Sequence, residues 1–346
     1  MGRINRRSLL AGAVPVLGGA ALLTRDATAA GMDHSMHAGA GQPAVQRPAG
    51  AHDGHANFRD ARTVDHRANG FDPHDIVRDF DRGTTKRLPS GRVLREWTLV
   101  AGDREIEIAP GIRFASWSYN GRIPGPTLRC TEGERLRITF VNGSAHPHTI
   151  HFHGLHPATM DGIAGQGAGE IQPGGKTVYE FDALPAGLHL YHCHVRPLAE
   201  HIAKGLYGTF IVDPKEPRED ADELVMVMNG FDTNFDRANE FYAANTIPFA
   251  YMNKPIKIER DRLVRLYLVN ILEYDLINSF HLHGNLFEYF PTGTSKTPSE
   301  LTDTVMLCQG QRGIAEWRFP YPGKYMFHAH QSEFTELGWQ GFFEVA

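Results

Sequence analysis

Histidine and cysteine concentrate in two short stretches: His148-Thr-Ile-His151-Phe-His153-Gly, and His192-Cys193-His194 followed by His201. Two further His-x-His pairs, His281/His283 and His328/His330, come later in the chain. Imidazole and thiolate together are donors for soft and borderline transition metals, so the arrangement reads as metal chemistry. Successive side chains of a strand point to opposite faces, which puts His151 and His153 on one face and His148, an odd number of residues away, on the other. The same parity turns Cys193 away from both flanking histidines. Cys193 therefore joins His148, while His192 and His194 join His151 and His153, and one pair of strands serves two metal sites back to back.

Two histidines and one thiolate with a weak or absent axial ligand suit the blue, electron-transferring type 1 copper, and His148, Cys193 and His201 form that set. Leu206, five residues after His201, stands at the axial position and cannot coordinate, which raises the potential of the copper. The eight other histidines form four same-face pairs. Reduction of dioxygen to water takes four electrons, so a cluster of three coppers beside a type 1 copper holds the number required. Cys193 is covalently continuous with His192 and His194 and supplies a bonded electron route between the sites. Zinc is the competing metal, but zinc sites need no cysteine alternating in face between two histidines.

These residues resemble the multicopper oxidases, specifically the two-domain form with type 1 copper in the N-terminal domain, over about residues 90 to 346. The resemblance implies that His151 and His281 bind type 2 copper and that His153, His192, His194, His283, His328 and His330 bind the type 3 pair. It thus implies four copper ions per chain. The eight-residue gap from Cys193 to His201 is longer than in typical laccases. A cluster taking four histidines from each half can form between the domains of one chain or head to tail between chains, and the resemblance favours a homotrimer with intersubunit clusters.

The supporting elements are short β-rich runs. In the first half they are Arg95 to Val100, Glu105 to Ile108, Phe114 to Tyr119, Arg135 to Asn142, Thr177 to Phe181, Gly187 to His192 and Gly208 to Val212, separated by turn signals such as Asn120-Gly121 and Pro173-Gly174. A similar series follows: Leu224 to Met228, Ile256 to Glu259, Leu263 to Asn270, Ser279 to Phe290, Ile314 to Phe319, Gly323 to His328 and Gly341 to Val345. In both halves a strand ending in Asn142 or Asn270 precedes a His-x-His-Gly, as duplication produces. Ala329 stands where the first copy has Cys193, so the second copy cannot build a type 1 site. The expected fold is all-β, two cupredoxin-like antiparallel Greek-key sandwiches over residues 86–215 and 216–346.

Residues 1–30 carry Arg6-Arg7 before Ser8-Leu9-Leu10, an apolar run and a small-residue exit, the pattern of a twin-arginine export signal with no membrane span left after processing. Residues 31–85 read as a flexible leader whose Met32, His34, Met36, His37, His52 and His55 suit either copper capture or a plain linker. The four arginines and one aspartate of residues 1–29 leave the remainder at −8 against −5 for the whole chain, which speaks against a nucleic-acid partner. Cys130 and Cys308 are expected as buried free thiols, a bridge between them being the lesser alternative. Oxygen reduction also consumes protons, for which Asp161, Glu333 and Glu336 are the nearby carboxylates, their bland reading being solvated loop residues. His146, His156 and His189 fall outside the ligand pattern and have supporting or surface roles.

The function expected is an exported oxidase that takes single electrons from phenols, aromatic amines or a metal ion such as Cu(I), Fe(II) or Mn(II) and passes them to dioxygen. One alternative is a copper nitrite reductase, whose resemblance implies an aspartate where this chain has His151 and a single three-histidine copper. The other is a copper-sequestering protein, for which a thiolate wired to cluster histidines has no purpose.

Overall fold

The structure is a computed structural model and describes residues 59–346. The expected export signal, residues 1–30, and the Met/His segment from Met32 to His55 lie outside the described residues.

In the first sandwich alternating burial marks one sheet, whereas the strands Gly187–His192 and Tyr207–Asp213 of the other are buried along nearly their whole length. Along Arg135–Asn142 half-buried and buried positions alternate, presenting Leu136, Ile138 and Phe140 to one side. One sheet runs in the order Thr84–Arg87, Val93–Ala109, Arg135–Asn142, Lys176–Asp182, with Ile112–Tyr119 also paired to Val93–Ala109. The facing sheet runs Leu128–Thr131, Tyr207–Asp213, Gly187–His192, His151–Phe152. The second sandwich repeats this with Phe241–Ala244, Asp222–Phe231, Leu263–Asn270, Arg312–Arg318, Phe287–Pro291 and Glu300–Thr302 against Ile256–Ile258, Gln340–Val345, Gly323–His328, Ile277–Leu282 and Thr304–Cys308. The fold is all-β and cupredoxin-like.

Three details differ from expectation. The sheets are mixed, not purely antiparallel: each holds one parallel pair, for example Val93–Ala109 with Arg135–Asn142 and Asp222–Phe231 with Leu263–Asn270. Between such partners the chain crosses other elements and returns in the same direction, which a tight hairpin cannot do. The expected strand Ser279 to Phe290 is two strands in different sheets, because the turn after His283 contains Gly284 at φ +73° and sends the chain across the sandwich. Residues 59–85, expected to be flexible, are packed. Two single-turn helices, His66–Asn69 and Pro73–Ile76, are capped by the Asp65 and Asp72 side chains. Ala61, Val64, Phe71 and Ile76 are buried, and Tyr251 Oη donates to the Pro73 carbonyl at 2.8 Å.

Apolar side chains gather in three clusters. One fills each sandwich, and the third joins Ile106, Ile108 and Phe114 of the first to Val225, Val227 and Phe231 of the second, with Phe71 and Ile76 added from the N-terminal segment. Beside it lies a partly buried ion network. Arg129 binds Asp213 at 2.8 Å and Glu223 at 2.6 and 2.9 Å, and Glu223 also accepts from Tyr267 Oη at 2.7 Å. Asp213 ends the last strand of the first sandwich and Glu223 lies in the first strand of the second, so Arg129 clamps both sides of the 214–221 connection. No helix among the described residues is long and apolar enough to cross a membrane.

Candidate metal centres

The loop from Asn142 to His148 is shaped by one side chain. Asn142 donates to the carbonyls of His146 and Ile171 at 2.8 and 2.7 Å and accepts from Ser144 N at 3.1 Å. His148 then pairs with Ile171 in an isolated bridge, and His151–Phe152 pairs with Gly187–His192, setting His151 opposite His192. Cys193 follows directly, its amide donating to the Leu206 carbonyl at 2.9 Å. His201 arrives on the helix Leu198–Ala203, which accounts for the long interval from Cys193.

These elements converge on His148, Cys193 and His201, all buried. The sulfur lies 3.8 Å from His148 Nδ1 and 3.2 Å from His201 Nδ1, and the two nitrogens are 3.1 Å apart. Burial holds His148 down to about 3 and His201 to about 4, so both rings are neutral at pH 7, and it pushes the Cys193 thiol up to about 11. Three soft or borderline donors face one point in a buried pocket, an arrangement a copper ion fits by displacing the thiol proton. Leu206 is fully buried in the same core. The Trp117 ring packs on the set, with centroids 4.7 Å from His201 and 5.2 Å from His148.

On the opposite face the two halves repeat one another. His151 lies 4.9, 5.2 and 5.2 Å from His153, His192 and His194, and His281 lies 4.9, 5.2 and 5.3 Å from His283, His328 and His330, measured between ring centroids. His153 and His192 approach to 2.9 Å through Nε2, and His283 and His328 to 3.0 Å. The Nδ1 atoms of His192 and His328 are held by the carbonyls of Cys193 and Ala329. Such outer contacts fix the tautomer and leave the Nε2 lone pairs for a metal. Burial holds His153 down to about 3 and His192 to about 4, again leaving neutral donors.

The two half-sites do not meet within the chain: among the described residues no ring of one set contacts a ring of the other. His153 instead lies beside Gly310 of the second sandwich, 3.8 Å from where a Cβ would stand there. His281 and His283 line a separate open pocket with Gly284, Asn285, Leu286 and Asp303.

Of the expected carboxylates, Asp161 reaches the site. His151 Nδ1 lies 2.9 Å from its carbonyl oxygen and 2.8 Å from its carboxylate. Glu333 and Glu336 lie on the helix Ser332–Glu336, which follows His330 as the His201 helix follows His194, and neither joins a metal-competent cluster. The charge of Glu333 instead acts on the Tyr242 hydroxyl. The counterpart of Asp161 was missed in the sequence. His281 Nδ1 contacts the Asp303 carbonyl at 3.0 Å and Thr304 Oγ1 at 2.8 Å. Asp161 follows its histidine by ten residues but Asp303 by twenty-two, so no local spacing signals it. Cys130 is buried and free as expected, whereas Cys308 is exposed, because Thr304–Cys308 is an edge strand and Cys308 faces outward. His146 is exposed, His156 is held by the Phe152 carbonyl at 2.6 Å, and His189 is buried with Nε2 3.0 Å from the Pro185 carbonyl.

Sequence profiles of the multicopper oxidase family match residues 102–217 and 220–346. A crystal structure of a multicopper oxidase is 64% identical, with a TM-score of 0.81, covering 82% of this chain and 100% of that one. The blue copper oxidase of Nitrosomonas europaea is 26% identical at a TM-score of 0.67, covering 73% and 86%. The copper-containing nitrite reductase of Neisseria meningitidis serogroup A is 28% identical over 249 residues, 66% of this chain and 63% of that protein, so the chain spans under two thirds of the length of such curated relatives. The chain belongs to the multicopper oxidase family, in its two-domain form.

Proposed function

We propose that the protein is an exported oxidase that takes electrons one at a time from a phenol, aromatic amine or cuprous ion and delivers them to dioxygen, giving water. The observation that carries this reading is the convergence of His148, Cys193 and His201 on one face while eight histidines stand as paired clamps on the other. Copper in these sites, four ions per chain, supplies one-electron transfer at the thiolate and oxygen binding at the paired imidazoles. His148 and His201 hold the electron entry port, and the backbone from Cys193 to His192 and His194 is the route inward. Asp161 orients His151 through its carbonyl and carboxylate, and Asp303 orients His281 through its carbonyl; the Asp161 carboxylate is the proposed proton donor to the reduced oxygen. The separation of the half-sites within one chain supports a homotrimer in which each cluster joins the first domain of one chain to the second of the next. The twin-arginine pattern supports export to the periplasm, cell surface or medium.

The nitrite reductase relatives give the second reading its weight. His151 in place of an aspartate, and complete His-x-His pairs in all four positions, favour oxygen as acceptor. Copper stoichiometry with visible and paramagnetic spectra, followed by oxygen uptake with a phenol and with Cu(I), tests the proposal. Copper-loaded protein that reduces nitrite but consumes no oxygen overturns it.

A further inference from the structure

Behind His148 runs a hydrogen-bond chain that the metal set does not require. His148 Nε2 lies 2.9 Å from Ser144 Oγ, and Ser144 Oγ lies 2.5 Å from Asp103 Oδ1. Its direction is fixed by counting donors. Nδ1 of His148 faces Cys193 and His201, so Nε2 carries the ring proton and donates to Ser144. The His146 amide also donates to Ser144 Oγ, at 3.2 Å. A hydroxyl has two lone pairs and one hydrogen; with both lone pairs taken, the hydrogen goes to Asp103. The Asp103 carboxylate is held from its other oxygen by the Ala145 amide at 2.9 Å.

The second domain provides an internal control. Asn270 plays the part of Asn142: it donates to the Leu307 carbonyl at 3.0 Å and accepts from the amide two residues on. That residue is Leu272, fully buried, where the first domain has Ser144. The hydroxyl is thus present in the copy that builds a thiolate site and replaced by a hydrocarbon in the copy that has Ala329. The other imidazole, His201, makes no Nε2 hydrogen bond among the described residues, so the two rings are treated differently.

We infer that Asp103, through Ser144, is a positioning and tuning residue for the type 1 centre: its charge draws the Nε2 proton of His148, makes that ring a stronger donor, and lowers the reduction potential that the hydrocarbon Leu206 raises. This rests on reading His148, Cys193 and His201 as that centre, and the blue band of the wild-type protein tests that reading separately.

The experiment is a redox titration of the blue band in copper-loaded wild type, D103N, S144A and the double variant. D103N and S144A each retain the band and favour the reduced state by about threefold to tenfold, tenfold being 59 mV for one electron. The double variant shifts no further than either single one, because the two residues act in series. Unchanged potentials, a shift in D103N alone, additive shifts, or a D103N protein that loses the band each overturn the inference. If S144A loses the band, D103N is compared with wild type at low and at 1 M salt, where the screening length is about 3 Å. A shift that survives salt supports transmission along hydrogen bonds, and one that collapses overturns it.

Discussion

Cys193 is bonded on both sides to histidines that face the other way, so removing its sulfur separates two functions that its backbone joins. Cys193→Ser is expected to abolish the blue colour and donor oxidation while the paired histidines keep their copper, as absorption and metal analysis of the purified variant would show. His151→Asp does the reverse: the blue centre persists and oxygen uptake stops, and normal turnover in that variant would count against the cluster assignment. Most of this was legible in the sequence, because strand parity is a local rule and every ligand but His201 lies in a strand or within three residues of one. His201 needed the helix Leu198–Ala203 to bring it back. Asp303, Ser144 and Asp103 were not legible: Asp303 and Ser144 meet their histidines through loop geometry, and Asp103 reaches Ser144 from the distant strand Val93–Ala109, none of which repeat spacing encodes.

Short elements set these positions, and the turn after the first His-x-His-Gly shows how tightly. Gly162 has φ +71°, and a Cβ there would stand 2.0 Å from the Ile150 carbonyl oxygen. Gly162→Ala therefore combines a left-handed backbone with a collision, at a cost of about 1 to 3 kcal/mol. The loop must move, and Asp161 next to it then loses its hold on His151. The expected outcome is a lower melting temperature with the blue band intact and a weakened type 2 copper signal. A variant with full type 2 copper would show that Asp161 is positioned by something other than this turn. Gly187–His192 and Gly323–His328 were readable as apolar runs entered through a glycine turn, although neither alternates cleanly in burial, whereas the edge strand Thr304–Cys308, short and with only Val305 and Leu307 buried, was not among the expected strands.

Across the whole molecule, the two sandwiches are held by apolar packing and by the ion network at Glu223. Burial acts to raise the Glu223 pKa, but hydrogen bonds from Arg129 and Tyr267 and the Arg265 charge outweigh it and hold the carboxyl below 4.5. A depressed carboxylate stabilises the fold above its unfolded pKa and stops doing so as pH falls through the folded one. Glu223→Gln should cost about 3 kcal/mol at pH 7, as for one partner removed from a buried pair. The gap to wild type in denaturant titrations should narrow below pH 4.5; a gap independent of pH would assign the loss to packing. The same packing between the domains keeps the two histidine half-sites of one chain apart, which gives the proposed trimer its sharpest test. A His151→Asp chain has a defective first half-site and an intact second one, and a His281→Asp chain has the reverse. If clusters form within chains, a mixture of the two stays inactive, since every chain carries one defect. If they form head to tail, co-expressed chains assemble some interfaces from two intact halves, about a quarter of them for random mixing in equal amounts. Oxygen uptake recovering to about that fraction, with each variant inactive alone, is the expected result, and an inactive mixture would place the cluster inside a single chain.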